Sequence, residues 1–421
     1  MKDSGVPWIG KIPLSLKLIR NKYLLSYEKG KKADNTNVEQ EGVPYIGASD
    51  LDSCDTAKLY TTDTALPDVI YDDVLVLWDG ARAGLVGTNK VGKLSSTVVK
   101  LTPDENVVSK HFLYWYYMAF QQFMYDMVNG TTIPHMSRRF LEDIGFLSWS
   151  LDEQNRISNY LDTKCTQIDT IIDNEQSVIE KLQEYKKAII TETIIKGLND
   201  SVERQNPGAV WFLGVPISWT FSELRYVTRD IFDIDHWMPE SQDEGIPYLM
   251  TGDLESRTSY IDFSKTKKIS IEDFNRLARN KYPCYHDIIM ARYASIGNCT
   301  YVDTSNQFLV SYSCLTIRPN IDEILPMFMY YYFKSYAFEE ECKVYIKLNT
   351  QGNIGKDNLR RIKLVYPNIG EQALIVKYLD TKCANIDAVI LKKHSLIDKL
   401  TEYKKSLIYE VVTGKKEVPH V

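Results

Sequence analysis

The hexapeptide YLDTKC occupies residues 160–165 and returns unchanged at 378–383, 218 positions later. The match runs outward in the same register: Glu153-Gln154 returns as Glu371-Gln372, Ile168-Asp169 as Ile386-Asp387, and EYKK at 184–187 as EYKK at 402–405. Chance does not produce so long a register, so the chain is an internal repeat. Upstream the repeat thins. Trp8 pairs with Trp211, Pro13 with Pro216, Tyr23 with Tyr226, and EGVPY at 41–45 with EGIPY at 244–248, all spaced by 203. Asp73 and Asp287 are spaced by 214, so most of the second copy's extra residues enter after the Pro-Tyr segment. One scaffold carries two differently elaborated parts.

The repeated tails have a helical period. Leu161, Ile168, Leu182 and Ile189 fall on one seven-residue row, with Ile172 and Ile179 four positions on and Ile171, Val178 and Tyr185 three positions on. The second copy places Leu379, Ile386, Leu400 and Leu407, then Ile390 and Ile397, then Val389, Leu396 and Tyr403, in the same rows. A stripe on a helix of ~45 residues, ~70 Å long at 1.5 Å per residue, needs a partner along its length. The other helix supplies it, and an antiparallel coiled coil about a pseudo-two-fold axis is expected. Glu175 and Lys393 interrupt the first row near its middle and are expected to pair and help set register.

Around these helices, short β-like runs such as DDVLVLW at 72–78 and DIIMARY at 287–293 alternate with helical stretches, which gives two α+β domains. The reading is a first domain over 1–148, a long helix over 149–198, a linker and second domain over 199–368, and a second long helix over 369–416. The most apolar runs, FLYWYYMAF at 112–120 and MFMYYYF at 327–333, are too short for the ~20 residues a membrane span requires. The first twenty residues lack the apolar core and cleavage site of a signal peptide, so a cytoplasmic location is expected. The seven cysteines include no CxxC pair and are expected to be reduced thiols.

The chemistry missing from the sequence is informative. DGARAG at 79–84 and GNIGKDN at 352–358 lack the GxxxxGK[ST] spacing of a phosphate-binding loop, and no GxSxG elbow or paired-His metal motif occurs. No catalysis by this chain and no metal are expected. A net charge of -6 excludes a uniformly basic surface, so any polyanion must be met by local clusters. Such clusters recur beside polar loops in both halves: Lys90 and Lys93, Arg138-Arg139 after GTTIPHMS, and Arg360-Arg361 after NTQGN. Basic residues suit phosphates, while Asn, Gln, Thr and His suit base edges.

With these motifs in order the chain resembles the specificity subunits of type I restriction-modification enzymes. The resemblance rests on W-I-G-K-I-P at 8–13, P-Y-I-G-A-S-D-L at 44–51, D-V-L-V-L-W-D-G-A at 73–81, G-T-T-I-P-H-M at 130–136, and E-Q-N-R-I from 153. In the second half it rests on P-Y-L-M-T-G-D-L at 247–254, D-I-I-M-A-R at 287–292, N-T-Q-G-N-I at 349–354 and E-Q-A-L-I at 371–375. The second half departs from the pattern at Tyr293-Ala294-Ser295, where the first has Asp79-Gly80-Ala81.

The resemblance implies a non-catalytic DNA-binding subunit. Two target-recognition domains each read half of a split double-stranded DNA site, and the helix pair sets the gap. It also implies two copies of a modification (methyltransferase) subunit and an ATP-dependent restriction subunit as partners. S-adenosylmethionine, ATP and Mg would be carried by those partners, not by this chain. Candidate DNA contacts are Arg82, Lys90, Lys93, Thr131, Thr132, His135, Arg138 and Arg139 in the first domain. The second offers Arg292, Asn298, Asn349, Gln351, Asn353 and Lys356. The rival reading is a coiled-coil scaffold that binds only proteins, which leaves the matched polar and basic loops unexplained.

Overall fold

The computed structural model describes residues 1–6, 8–52, 57–128, 135–208, 210–279, 281–293, 295–346 and 352–419. The chain forms two compact units, Met1–Glu175 with His394–Val421, and Gln176–Lys393. Each unit therefore owns one α+β domain and half of each long helix.

In the first unit, a four-stranded antiparallel sheet has the order Leu25–Lys29, Val98–Pro103, Val74–Leu77, Val86–Gly87. The central VLVL strand is buried at every position, as a strand covered on both faces must be. A second sheet pairs Val43–Ile46 with Gly92–Leu94 in parallel. Helix α1 (Lys110–Val128) covers the first sheet with Phe112, Tyr116 and Phe120, the one-turn α2 (Arg138–Asp143) follows, and α3 (Leu151–Lys196) begins the long tail.

The second unit repeats this order. Its main sheet runs Thr228–Phe232, Cys314–Pro319, Ile288–Ala291, Cys299–Tyr301, and a smaller one pairs Ile246–Leu249 with Leu309–Val310 in parallel. Here α4 (Leu224–Val227) precedes the edge strand. Later come α5 (Ile271–Ala278), α6 (Pro326–Phe333), α7 (Tyr336–Tyr345), α8 (Lys356–Arg360) and the second long helix, α9 (Ile369–Val412).

The repeated sequence identities have local causes. Ser150 accepts from the Glu153 N–H at 3.3 Å while the Glu153 carboxylate accepts from the Ser150 N–H at 3.0 Å, a reciprocal cap that starts α3. The next residue, Gln154, is fully buried. Its side chain donates to the carbonyls of Val107 and Trp149 and accepts from Ser109 N–H, tying the start of α3 to the start of α1. Gln372 makes the same three bonds to Glu323, Pro367 and Leu325. A buried amide with three backbone partners tolerates few replacements, which accounts for the repeated Glu-Gln.

Within each unit the two long helices run antiparallel. Asp169 pairs with Lys404 at 2.7 Å in the first unit, and Lys186 with Asp387 at 2.6 Å in the second, the same contact moved by the repeat. Leu161, Ile168, Ile179, Leu379, Ile386 and Leu407 are buried, and Ile172, Leu182, Ile189, Ile390, Ile397 and Leu400 are half-buried. Cys165 and Cys383 are buried with them, and burial pushes both thiols up to about 11. The six described cysteines are free thiols. The third row, Ile171, Val178, Tyr185, Val389, Leu396 and Tyr403, is exposed. Residues three positions on turn away from a seam already filled by the other two rows.

Candidate nucleic-acid interface

The clearest polar site in each unit is a corner where the central strand ends. In the first unit the backbone of Asp79 bridges that of His135. The Asp79 carboxylate accepts from Lys29 at 3.0 Å and bonds the His135 imidazole. Trp78 floors the corner: its ring meets His135 edge-on at 5.6 Å, and the Lys29 ammonium lies 5.3 Å from the ring centroid. Partial burial pulls the Asp79 carboxyl upward, but the hydrogen bonds from His135 and Lys29 outweigh it and hold the group below the ordinary range.

The second unit builds the same corner from Tyr293, whose backbone bridges Asn353. Here the acid is Asp233, just after the edge strand, and it accepts from Arg292 at 2.5 Å and Lys356 at 2.6 Å. Arg292 Nε also donates to the Asn353 side-chain amide oxygen, Oδ1, at 3.4 Å. Arg292 and Asp233 are more enclosed than the first corner, with side chains 15% and 17% exposed against 43% and 36% for Lys29 and Asp79.

Of the residues expected from sequence, the fold thus brings Arg292, Asn353 and Lys356 together, and sets His135 at the matching place. Asn298 is exposed beside the Arg292 strand. Arg138 and Arg139 are strongly exposed on α2, held loosely by Glu142 and Asp143 one turn on. Arg82 donates to Asp52 at 2.5 Å and to the Ala48 carbonyl at 2.8 Å, tethering the Gly-rich loop. Gly84 in that loop has φ +97°, and a Cβ there would lie 3.1 Å from both Met124 Cβ and the Tyr125 backbone nitrogen, so the glycine serves packing. Lys90 lies just ahead of the Gly92–Leu94 strand.

The Lys93 side chain is 12% exposed, and its ammonium pairs with Asp68 at 2.8 Å and donates to the carbonyls of Thr64 and Leu66, contacts that hold the small sheet together. Thr131, Thr132, Asn349 and Gln351 lie outside the described residues. Lys29 and Asp233 had no signal in the sequence, because a single charge at a strand end reads as ordinary surface; Asp79 stood inside the D-V-L-V-L-W-D-G-A motif but was not among the candidate contacts.

A second repeated site joins each domain to its helix pair. Asp162 accepts from Trp115 Nε1 at 2.9 Å and pairs with His111 at 2.8 Å. Asp380, its repeat, accepts from the Tyr331 hydroxyl at 2.6 Å and pairs with Arg257 at 3.6 Å. These are the aspartates of the two YLDTKC segments, and each lines a cleft, of about 1010 Å³ in the first unit and about 1200 Å³ in the second. Among the described residues no group of three His, Cys, Asp or Glu side chains could hold a metal ion, and no helix is long and apolar enough to cross a membrane.

The model of the type I restriction modification DNA specificity domain matches the chain twice, over residues 17–184 and 227–397. The chain is similar to the type I restriction enzyme MjaVIII specificity subunit of Methanocaldococcus jannaschii, at 25% identity over 98% of this chain and 95% of that protein. It is also similar to the type I restriction enzyme EcoBI specificity subunit of Escherichia coli, at 20% identity over 91% of this chain and 82% of that one. Among solved structures, a chain from work on complex assembly and conformational transition of the type I R-M system covers 96% of this chain and all of its own length, at TM-score 0.70 and 16% identity. That likeness bears on the fold.

Proposed function

The chain belongs to the type I restriction modification DNA specificity domain family, and from that premise we propose that it is the non-catalytic subunit that gives a type I restriction-modification complex its DNA sequence specificity. Each domain reads one half of a split double-stranded site, and the helix pair holds the halves apart. The observation that carries this reading is the corner built twice on one backbone plan with different side chains: His135 beside Asp79 in one, Arg292, Asn353 and Lys356 around Asp233 in the other. A reader of two unlike half-sites needs one scaffold with exchanged surface chemistry. Arginine donates to guanine and asparagine pairs with adenine in the major groove, while Arg138 and Arg139 suit phosphates.

Partner docking is supported by the third helix row. Ile171, Val178 and Tyr185 repeat every seven residues and stay exposed, as do Val389, Leu396 and Tyr403. An exposed apolar row at that period fits a partner helix, and its repetition fits two copies of one modification subunit. S-adenosylmethionine belongs on that subunit, and ATP and Mg on a restriction subunit.

The test is to express the chain with its modification subunit and map methylated bases across a genome by single-molecule sequencing. A bipartite motif with a fixed gap is expected. A continuous motif, or none with an active partner, overturns the reading.

A further inference from the structure

Both units expose a tyrosine at the same place with a cation over its ring. Lys22 and Tyr23 end the 3-10 turn Asn21–Tyr23, and Arg225 and Tyr226 lie inside the one-turn α4, 203 positions later. The turns are held by their other residues, Asn21 in the first and Leu224 and Val227 in the second, which are buried. Tyr23 is 71% exposed and Tyr226 is 64% exposed. The Lys22 ammonium sits 4.7 Å from the Tyr23 ring centroid, and the Arg225 guanidinium 4.8 Å from that of Tyr226. One exposed tyrosine needs no explanation. Two at equivalent positions, each under a cation and neither packed in a core, are left unexplained by the fold.

Their neighbours are alike in charge. The Asn21–Tyr23 turn packs against α2, and α4 packs against α8. The first edge gathers Arg20, Lys22, Arg138 and Arg139 against Glu142 and Asp143. The second gathers Arg225, Arg360 and Arg361 against Glu223 and Asp357, with Lys356 turned to Asp233 in the corner. Each edge is net positive in a chain whose net charge is -6.

We propose that these two edges are backbone anchors, sequence-independent contacts to the phosphodiester groups of the same DNA duplex, one edge for each half-site. Lysine, arginine and the tyrosine hydroxyl all donate to phosphate oxygens, and stacking on the ring holds the cation in place. A duplex presents the same backbone chemistry at both half-sites. An anchor can therefore stay alike in two halves whose base-reading corners differ, which is the pattern seen. The inference deepens the proposed function and rests on it.

The test uses the full chain assembled with its partner subunits, comparing wild type with Lys22→Ala/Tyr23→Ala and Arg225→Ala/Tyr226→Ala. All four side chains are exposed, so the unfolding midpoint should not move. Each double variant should weaken binding about three- to tenfold, equally on a cognate and a scrambled duplex, and lower the slope of log affinity against log salt by about one. Complex assembly, read by size-exclusion chromatography, should be unchanged. Lost assembly overturns the inference in favour of protein docking, a loss confined to the cognate duplex overturns it in favour of base readout, and no change in binding overturns it outright. A wild-type complex that fails to bind any split site would instead remove the underlying functional reading.

Discussion

The corner at Asp79 and the corner at Asp233 share a backbone plan, and each is held by an ion pair, but the charges sit on different positions of that plan. In the first half the cation comes from the edge strand, Lys29, and the acid ends the central strand, Asp79. In the second the acid follows the edge strand, Asp233, and the cation Arg292 ends the central one. Tyr293 stands at the backbone place of Asp79, and Arg292 at that of Trp78, so the second pair is built from the neighbouring position and is not the first pair reversed. What changes is the face shown outward: a carboxylate and an imidazole in one half, a guanidinium, an ammonium and an amide in the other. The aspartates that join domain to helix behave in the opposite way, since Asp162 and Asp380 keep the residue, the position and an aromatic donor. Diversity is confined to the loop ends and constancy to the helix junctions.

The largest effect expected from that difference is on stability. Asp233→Ala leaves Arg292, 15% exposed, facing Lys356 with no acid between them. Removing one partner of an enclosed ion pair costs about 2 to 4 kcal/mol, whereas an open pair such as Lys29–Asp79 contributes about 0.5 to 1 kcal/mol. Urea unfolding of the full chain should show a midpoint shift for Asp233→Ala several times that of Asp79→Ala. Equal shifts would break the comparison.

A smaller effect is expected at the helix junctions, and there the two halves should agree. Asp162→Ala strands the Trp115 indole N–H, and Asp380→Ala strands the Tyr331 hydroxyl. Each should cost about 1 to 2 kcal/mol, the penalty of a partly buried donor left without its acceptor. Costs differing by more than about 1 kcal/mol would mean that the two junctions are not the same device.

How much of this was legible beforehand follows the same division. The helices announced themselves because a seven-residue row and an exact hexapeptide survive in both copies, and Glu153-Gln154 did so because a buried amide with three backbone bonds fixes its residue type. The two rows expected at the seam are buried or half-buried, while the third row is exposed although Ile171 and Val178 look as apolar as Ile168 and Ile179; only the packed geometry tells which row is already filled. At the corners, Arg292, Asn353, Lys356 and His135 could be nominated from their loops. Their common partner Asp233 could not, because 59 positions separate it from Arg292 and 123 from Lys356. The partners of Lys93 were hidden for the same reason: its three oxygen partners are brought to it by strand pairing across the small sheet.

The smallest effect sharpens the comparison through pH. The Asp79 carboxyl is held below its ordinary range by His135 and Lys29 despite partial burial. A carboxyl whose folded pKa lies below its unfolded value, about 3.9, adds stability above that unfolded value and loses it as pH falls through the folded one. With Asp79 36% exposed, solvent screening keeps the gain below about 1 kcal/mol. The wild-type chain should therefore exceed Asp79→Asn in stability near pH 6, and the gap should close as pH drops below about 4. Denaturant midpoints for both proteins at several pH values read this directly. A gap that persists unchanged into acid would assign the effect to packing of the side chain against Trp78, and one that widens would reverse the sign of the argument. In either case the Asp79 corner would no longer be held by an ionised acid, and its likeness to the Asp233 corner would be one of backbone alone.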